Sequence, residues 1–213
     1  MKGGEPMIGV IDYKAGNAPS VYNALNKIGA SAELIRKAEE LEGVQGIILP
    51  GVGSADATIL SLESDGLLDA VEKKVIFEHM PFLGICVGLQ ILFEHSEEDD
   101  TPCLGWLPGR VLEFPETVRV PQIGYNEVRF TKDHPLVEGC GEADYYYFVN
   151  SYYAVPEEES MVLGRAEYGV EFCAMAAWKN IMATQFHMDK SGDSGLRMLR
   201  NFVRIAEEGI ELC

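Results

Sequence analysis

Four short strand-like runs separated by helix-patterned stretches are the feature that most limits what this chain can fold into. The runs are Met7–Asp12 (MIGVID), Ala32–Arg36, Gly46–Leu49 (GIIL) and Phe82–Cys86 (FLGIC). Each has the length of a buried strand and is too short for a helix. Between the first two, Ala18–Gly29 places Val21, Leu25 and Ile28 at helical spacing and stops at a glycine. Between the last two, Pro50-Gly51-Val52-Gly53 reads as a turn, and Leu67–His79 reads as helix. The fourth run breaks at Gly88 and leads into a helix expected to continue through Glu94. Strand–helix alternation at these lengths predicts an α/β fold, with a parallel sheet flanked by helices.

From Arg110 to Thr184 the pattern changes to short β-rich runs: RVLEF, NEVRF, DYYYFVNSYYAV, MVLGRAEY and IMATQFH. These are expected to be antiparallel strands that extend the sheet. A last helix is expected from about Ser194 to Glu207, apolar at Leu196, Leu199, Phe202 and Val203. Residues 1–6 (MKGGEP) read as a disordered start or tag remnant, and 7–213 as a single domain. No linker, repeat or low-complexity tract divides the chain, and 213 residues suit one generous domain.

The formal net charge of −17 disfavours nucleic acid and anionic membranes, because phosphate binding needs clustered Lys and Arg. No apolar run approaches the roughly 18 residues of a membrane span, and the N-terminus lacks the apolar core of a signal peptide. Five cysteines with no CxxC fit reduced thiols in a cytoplasmic protein better than disulfides or a zinc knuckle. The four histidines are scattered, so no metal and no cofactor is expected.

Gly84-Ile85-Cys86-Val87-Gly88, between a strand and a helix, is a sulfur counterpart of the nucleophile elbow. Glycines two residues either side permit a strained turn that exposes the thiol near a helix N-terminus, where thiolate and oxyanion are both favoured. The bland alternative is packing, since cysteine is among the most buried residue types. His187 closes another apolar run, and Asp189 two residues on could orient its imidazole. The three together suit acyl transfer.

These residues resemble the class I (triad) glutamine amidotransferases. Gly84, Cys86, Gly88 and Gln90 match the G-x-C-x-G-x-Q elbow of that family, and Gln185-Phe186-His187 matches its QFH segment. Within the family, several segments resemble the amidotransferase subunit of imidazole glycerol phosphate synthase. They are Ile11-Asp12-Tyr13 with Gly16-Asn17, Leu49-Pro50-Gly51-Val52-Gly53, Gly84–Glu94, Val120–Asn126 and Tyr147–Tyr153. The resemblance runs from Ile8 to Phe202 and departs from the pattern at four places. Met188-Asp189 stands for the usual Pro-Glu, Tyr125 for a tryptophan, Gln122 for a histidine and Asn150 for another histidine.

The resemblance implies a flavodoxin-like fold with a mixed, mostly parallel sheet. It implies a Cys86–His187–Asp189 triad that hydrolyses L-glutamine. Val87 and the Val52–Gly53 turn would form the oxyanion hole, and Gly51, Gln90, Ser151 and Tyr152 would bind substrate. It also implies a (β/α)8-barrel cyclase partner in a heterodimer that takes the ammonia into histidine biosynthesis. The alternatives are a paralogue serving another acceptor and a decayed binding subunit, motivated by Met188 and Asp189. A cysteine hydrolase or chaperone of related fold would carry a histidine directly after the nucleophile, where Val87 stands here.

Overall fold

A computed structural model describes residues 7–14 and 16–209. The expectation for residues 1–6 lies outside them. The strands are β1 (Ile8–Ile11), β2 (Ala32–Ile35), β3 (Gly46–Gly51), β4 (Phe82–Cys86), β5 (His95–Ser96), β6 (Thr101–Pro102) and β7 (Gly109–Glu113). They continue with β8 (Gln122–Phe130), β9 (Ala143–Asn150), β10 (Tyr152–Pro156), β11 (Val162–Glu167), β12 (Glu171–Trp178) and β13 (Ile181–Thr184). The helices are α1 (Ala18–Lys27), α2 (Ala55–Ser64), α3 (Leu67–Glu72), α4 (Val87–Gln90) and α5 (Gly192–Glu208). Among the described residues the strands form one sheet, ordered β2-β1-β3-β4-β13-β12-β10-β7-β5-β6, with β11, β8 and β9 branching from β12.

The first part of the chain forms as its apolar runs predict. β1, β2, β3 and β4 are parallel neighbours, and β1, β3 and β4 are buried along their whole length. Continuous apolar runs are what a strand covered on both faces needs. β3 runs two residues further than GIIL, so Pro50 and Gly51 pair with Ile85 and Cys86.

Four local differences have physical causes. Helix α2 was not marked by apolar periodicity; Ser54 starts it by accepting the Ala57 N–H. The stretch from Leu67 runs as α3 and then widens to a π-helical turn at Lys73–Phe77. The helix after the elbow stops at Gln90 instead of Glu94. The carbonyls of Ile91, Leu92 and Phe93 accept from Leu104, Leu107 and Gly105, so they are not free to continue a helical ladder. Finally, IMATQFH supplies β13, which is parallel to β4 and antiparallel only to β12. β12 itself (EFCAMAAW) is buried at six consecutive positions, so it shows no alternation by which to find it.

The order β3-β4-β13 is what positions the site. It brings the C-terminal ends of three parallel strands side by side, the place where open α/β sheets carry their ligands. Helix α5 buries Leu196, Leu199 and Phe202 and leaves Val203 half-buried.

Candidate active site

Cys86 ends β4 and caps α4 with φ 57° and ψ −108°, a conformation costing of order 1–3 kcal/mol for a residue with a Cβ. The neighbouring glycines make the turn possible by close approach. A Cβ on Gly84 would collide with the carbonyl of Gly88, and one on Gly88 with the carbonyl of Leu49. The G-x-C-x-G spacing is therefore a packing requirement between the elbow and β3.

The thiol lies in a cavity of about 280 Å³ shared with Val52, Gly53, Val87, Gln90, Glu98, Ser151, Tyr152, His187 and Lys190, among others. That volume suits a ligand smaller than a drug molecule. Cys86 Sγ donates to the Val149 carbonyl at 3.8 Å and accepts from Gln185 Nε2 at 3.7 Å. Gln90 donates to Gln185 Oε1 at 3.1 Å and to the Tyr152 carbonyl at 3.2 Å, tying the elbow helix to β10 and to the approach to His187. Burial pushes the Cys86 thiol up to about 11, opposed by the Val87 N–H, the Gln185 amide and the charge of Lys190.

His187 follows β13 and is held by its backbone. Its N–H donates to the Tyr147 carbonyl at 2.9 Å, and its carbonyl accepts from Ser191 Oγ at 2.6 Å. Burial holds the imidazole below the usual histidine range, although Asp189 pulls the other way. Asp189 Oδ1 lies 3.8 Å from His187 Nδ1. That is too long for a hydrogen bond, and both buried atoms lack any other partner. The other carboxylate oxygen, Oδ2, accepts from Asn17 Nδ2 at 2.7 Å and Ser20 Oγ at 2.5 Å.

Of the residues expected from sequence, Cys86, His187, Val52, Gly53, Val87, Gln90, Ser151 and Tyr152 meet in one cavity. Asp189 stands beside the imidazole without lining that cavity, and Gly51 also does not line it. Gly51 is pressed against the elbow: a Cβ there would lie 2.7 Å from the Val87 Cβ. Glu98, Asn150 and Gln185 also reach the site. Gln185 had a visible signal, a polar residue inside an apolar run. Glu98 had none, since it sits in an acidic stretch that reads as solvated. Among the described residues no three His, Cys, Asp or Glu side chains converge to hold a metal ion.

A strained cysteine elbow at the end of a parallel strand, with a histidine and an acid just beyond the end of the neighbouring strand, agrees with the family comparison. The family model for glutamine amidotransferase class-I matches residues 9–206. The chain belongs to that family. Among curated relatives, a Dehalococcoides mccartyi protein is 41% identical over 201 residues, covering 94% of this chain and 98% of its own. A Methanothermobacter thermautotrophicus protein is 44% identical over 200 residues, covering 93% and 98%. Both are named imidazole glycerol phosphate synthase subunit HisH. A solved structure titled as a glutamine amidotransferase superposes with a TM-score of 0.75 at 23% identity, over 94% of this chain and 98% of that one, which is a likeness of fold.

Proposed function

We propose that this chain is the glutaminase subunit of an imidazole glycerol phosphate synthase, hydrolysing L-glutamine to glutamate and ammonia for histidine biosynthesis. The observation that carries the chemistry is the strained Cys86 elbow, opening into one cavity with His187 while Asp189 stands at the imidazole. The relatives' shared name carries the pathway.

Cys86 Sγ attacks the side-chain carbonyl carbon of glutamine while His187 takes the thiol proton. His187 returns that proton to the departing nitrogen, which leaves as ammonia. Water, deprotonated by the same imidazole, then attacks the thioester; the C–S bond breaks, the thiol is restored and glutamate leaves. Val87 N–H, with an N–H from the Val52–Gly53 turn, stabilises both oxyanions; one such donor is worth roughly 2.7–4 kcal/mol. Glu98, whose Oε2 is anchored by the Ala55 N–H at 2.9 Å, supplies a carboxylate for the substrate's α-ammonium group. The backbone at Ser151 and Tyr152 receives the α-carboxylate. Gln90 serves the site by fixing Tyr152 and Gln185.

The resting pair is a thiol and a neutral imidazole in one cavity, because burial raises one group and lowers the other. Such a pair is poorly primed, which fits a subunit that works when a partner completes its site. We assign that partner as a (β/α)8-barrel cyclase forming a heterodimer in the cytoplasm. The exposed face of the β8–β9 hairpin beside the cavity supports a docking role, with Ile123 65%, Tyr125 60% and Tyr145 57% exposed. The four described cysteines are free, which suits a reducing compartment. No helix among the described residues is long and apolar enough to cross a membrane.

The test is glutamate release by the chain mixed with its cyclase and the cyclase's nucleotide ligand. Turnover that needs all three and vanishes in Cys86→Ala supports the reading. Unchanged turnover in Cys86→Ala, or no labelling of Cys86 by a glutamine-analogue electrophile in the complex, refutes it.

A further inference from the structure

The acid beside His187 is held at one oxygen by helix α1 while its other oxygen has no hydrogen bond. Asn17 and Ser20 both donate to Asp189 Oδ2, from residues 172 and 169 positions away in sequence. Oδ1, buried and otherwise unpartnered, faces the equally unpartnered His187 Nδ1. We infer that Asn17 and Ser20 are positioning residues of the glutaminase, a two-donor clamp that aims the short Asp189 side chain at the imidazole.

Three observations support this. First, Asn17 occupies the N-cap of α1, yet its side chain makes no capping bond. Capping, the usual use of asparagine there, would engage Oδ1 as an acceptor; here no cap bond forms and Nδ2 donates to Asp189. Second, the clamp divides the carboxylate's work. With Oδ2 engaged twice, rotation of the carboxylate about its axis is blocked and Oδ1 is left facing Nδ1. Third, the α1 N-terminus carries the positive end of the helix dipole, which favours an acidic side chain lying against it. An aspartate is one methylene shorter than glutamate and reaches less far, so its direction has to be set by neighbours. The turn that carries it is fixed independently, through Ser191 Oγ, which also accepts from the Tyr147 N–H at 3.0 Å.

The inference rests on the glutaminase reading for its activity readout, so a second readout is chosen that needs no turnover. In the complex with cyclase and nucleotide, the Asn17→Ala/Ser20→Ala double variant is expected to lose roughly 10²-fold in kcat, comparable to losing an orienting contact. KM for glutamine should stay within about two-fold of wild type, because neither residue lines the cavity. Ser20→Thr, which keeps the hydroxyl, should retain most of the activity that Ser20→Ala loses. In the chain alone, nitrogen-15 spectra of the His187 ring are recorded at about pH 8, above the ordinary histidine value of about 6.5. Asp189 and Lys190 act on the charge of the ring, and Glu98 and Cys86 line the same cavity. Wild type should show the proton on Nδ1, and the double variant a mixture of tautomers with an unchanged melting temperature. A double variant with wild-type kcat, or with a wild-type ring spectrum, overturns the clamp. If the wild-type complex is silent, the glutaminase reading fails and the ring spectrum alone decides on the clamp.

Discussion

At the level of single residues, the site is defined by a cysteine and a histidine whose proton affinities are moved in opposite directions by the same burial. With the thiol raised to about 11, thiolate is scarce at neutral pH and increases as pH rises toward that value. Alkylation of Cys86 in the isolated chain, followed peptide by peptide, should therefore keep accelerating well above pH 9. A plateau near the ordinary thiol value of about 8.5 would contradict this. For His187 the sign is reversed: a lowered imidazole stays neutral and able to accept a proton further into acid. The acid limb of glutamine turnover by the complex should lie below about 6.5, and a limb above 7 would show that something other than this imidazole limits the rate. Asp189→Asn, which removes the charge and permits the wrong tautomer, should lower kcat by up to roughly 10⁴-fold, read from steady-state glutamate release. Asp189 is visible in sequence as a carboxylate two residues after a histidine; its partners are not, because Asn17 and Ser20 reach it only after α1 and the end of β13 have packed.

At the level of elements, the elbow works because two backbones pass within contact distance. Gly84→Ala places a methyl group against the Gly88 carbonyl and should destabilise the fold by about 1–3 kcal/mol, measured as a lower urea midpoint, with Cys86 labelling slowed in parallel. A second element-level device fixes the histidine. Phe186 stacks on Tyr146 at 4.2 Å between ring centroids and meets Phe148 edge-on at 5.6 Å. Phe186→Ala should cost about 3–5 kcal/mol by denaturant titration and loosen His187 with it. Strands β1, β3 and β4 and the elbow were legible because runs covered on both faces are continuously apolar and end at turn residues. The direction of β13 was not, since pairing with β4 across almost a hundred residues is a long-range choice. The early end of α4 was equally hidden, because the competing donors come from the Leu104–Leu107 segment.

At the level of the whole molecule, the sheet ends at an exposed aromatic and aliphatic face next to the cavity, on a chain whose net charge is −17. Tyr125 is part of that face and also donates to the Lys190 carbonyl at 2.9 Å, so the face touches the turn that carries Asp189. Ile123→Asp should weaken the complex with the cyclase by roughly 1–2 kcal/mol in titration calorimetry, leaving the melting temperature of the isolated chain unchanged. Loss of stability without loss of affinity would place Ile123 in the fold and remove it from the interface.

The sequence alone singled out the residues proposed to carry the chemistry, since a strained cysteine turn and a histidine closing a buried strand depend on neighbours one or two positions away. It also set the α/β class, because strand and helix periodicities are local. Only the tertiary structure decided what surrounds these groups. It inserted β13 beside β4, bringing His187 to the cavity it shares with Cys86. It set Asn17 and Ser20 on the far oxygen of Asp189 and buried the thiol deeply enough to hold its proton. Those are contacts between segments far apart in the chain, and no local pattern encodes them.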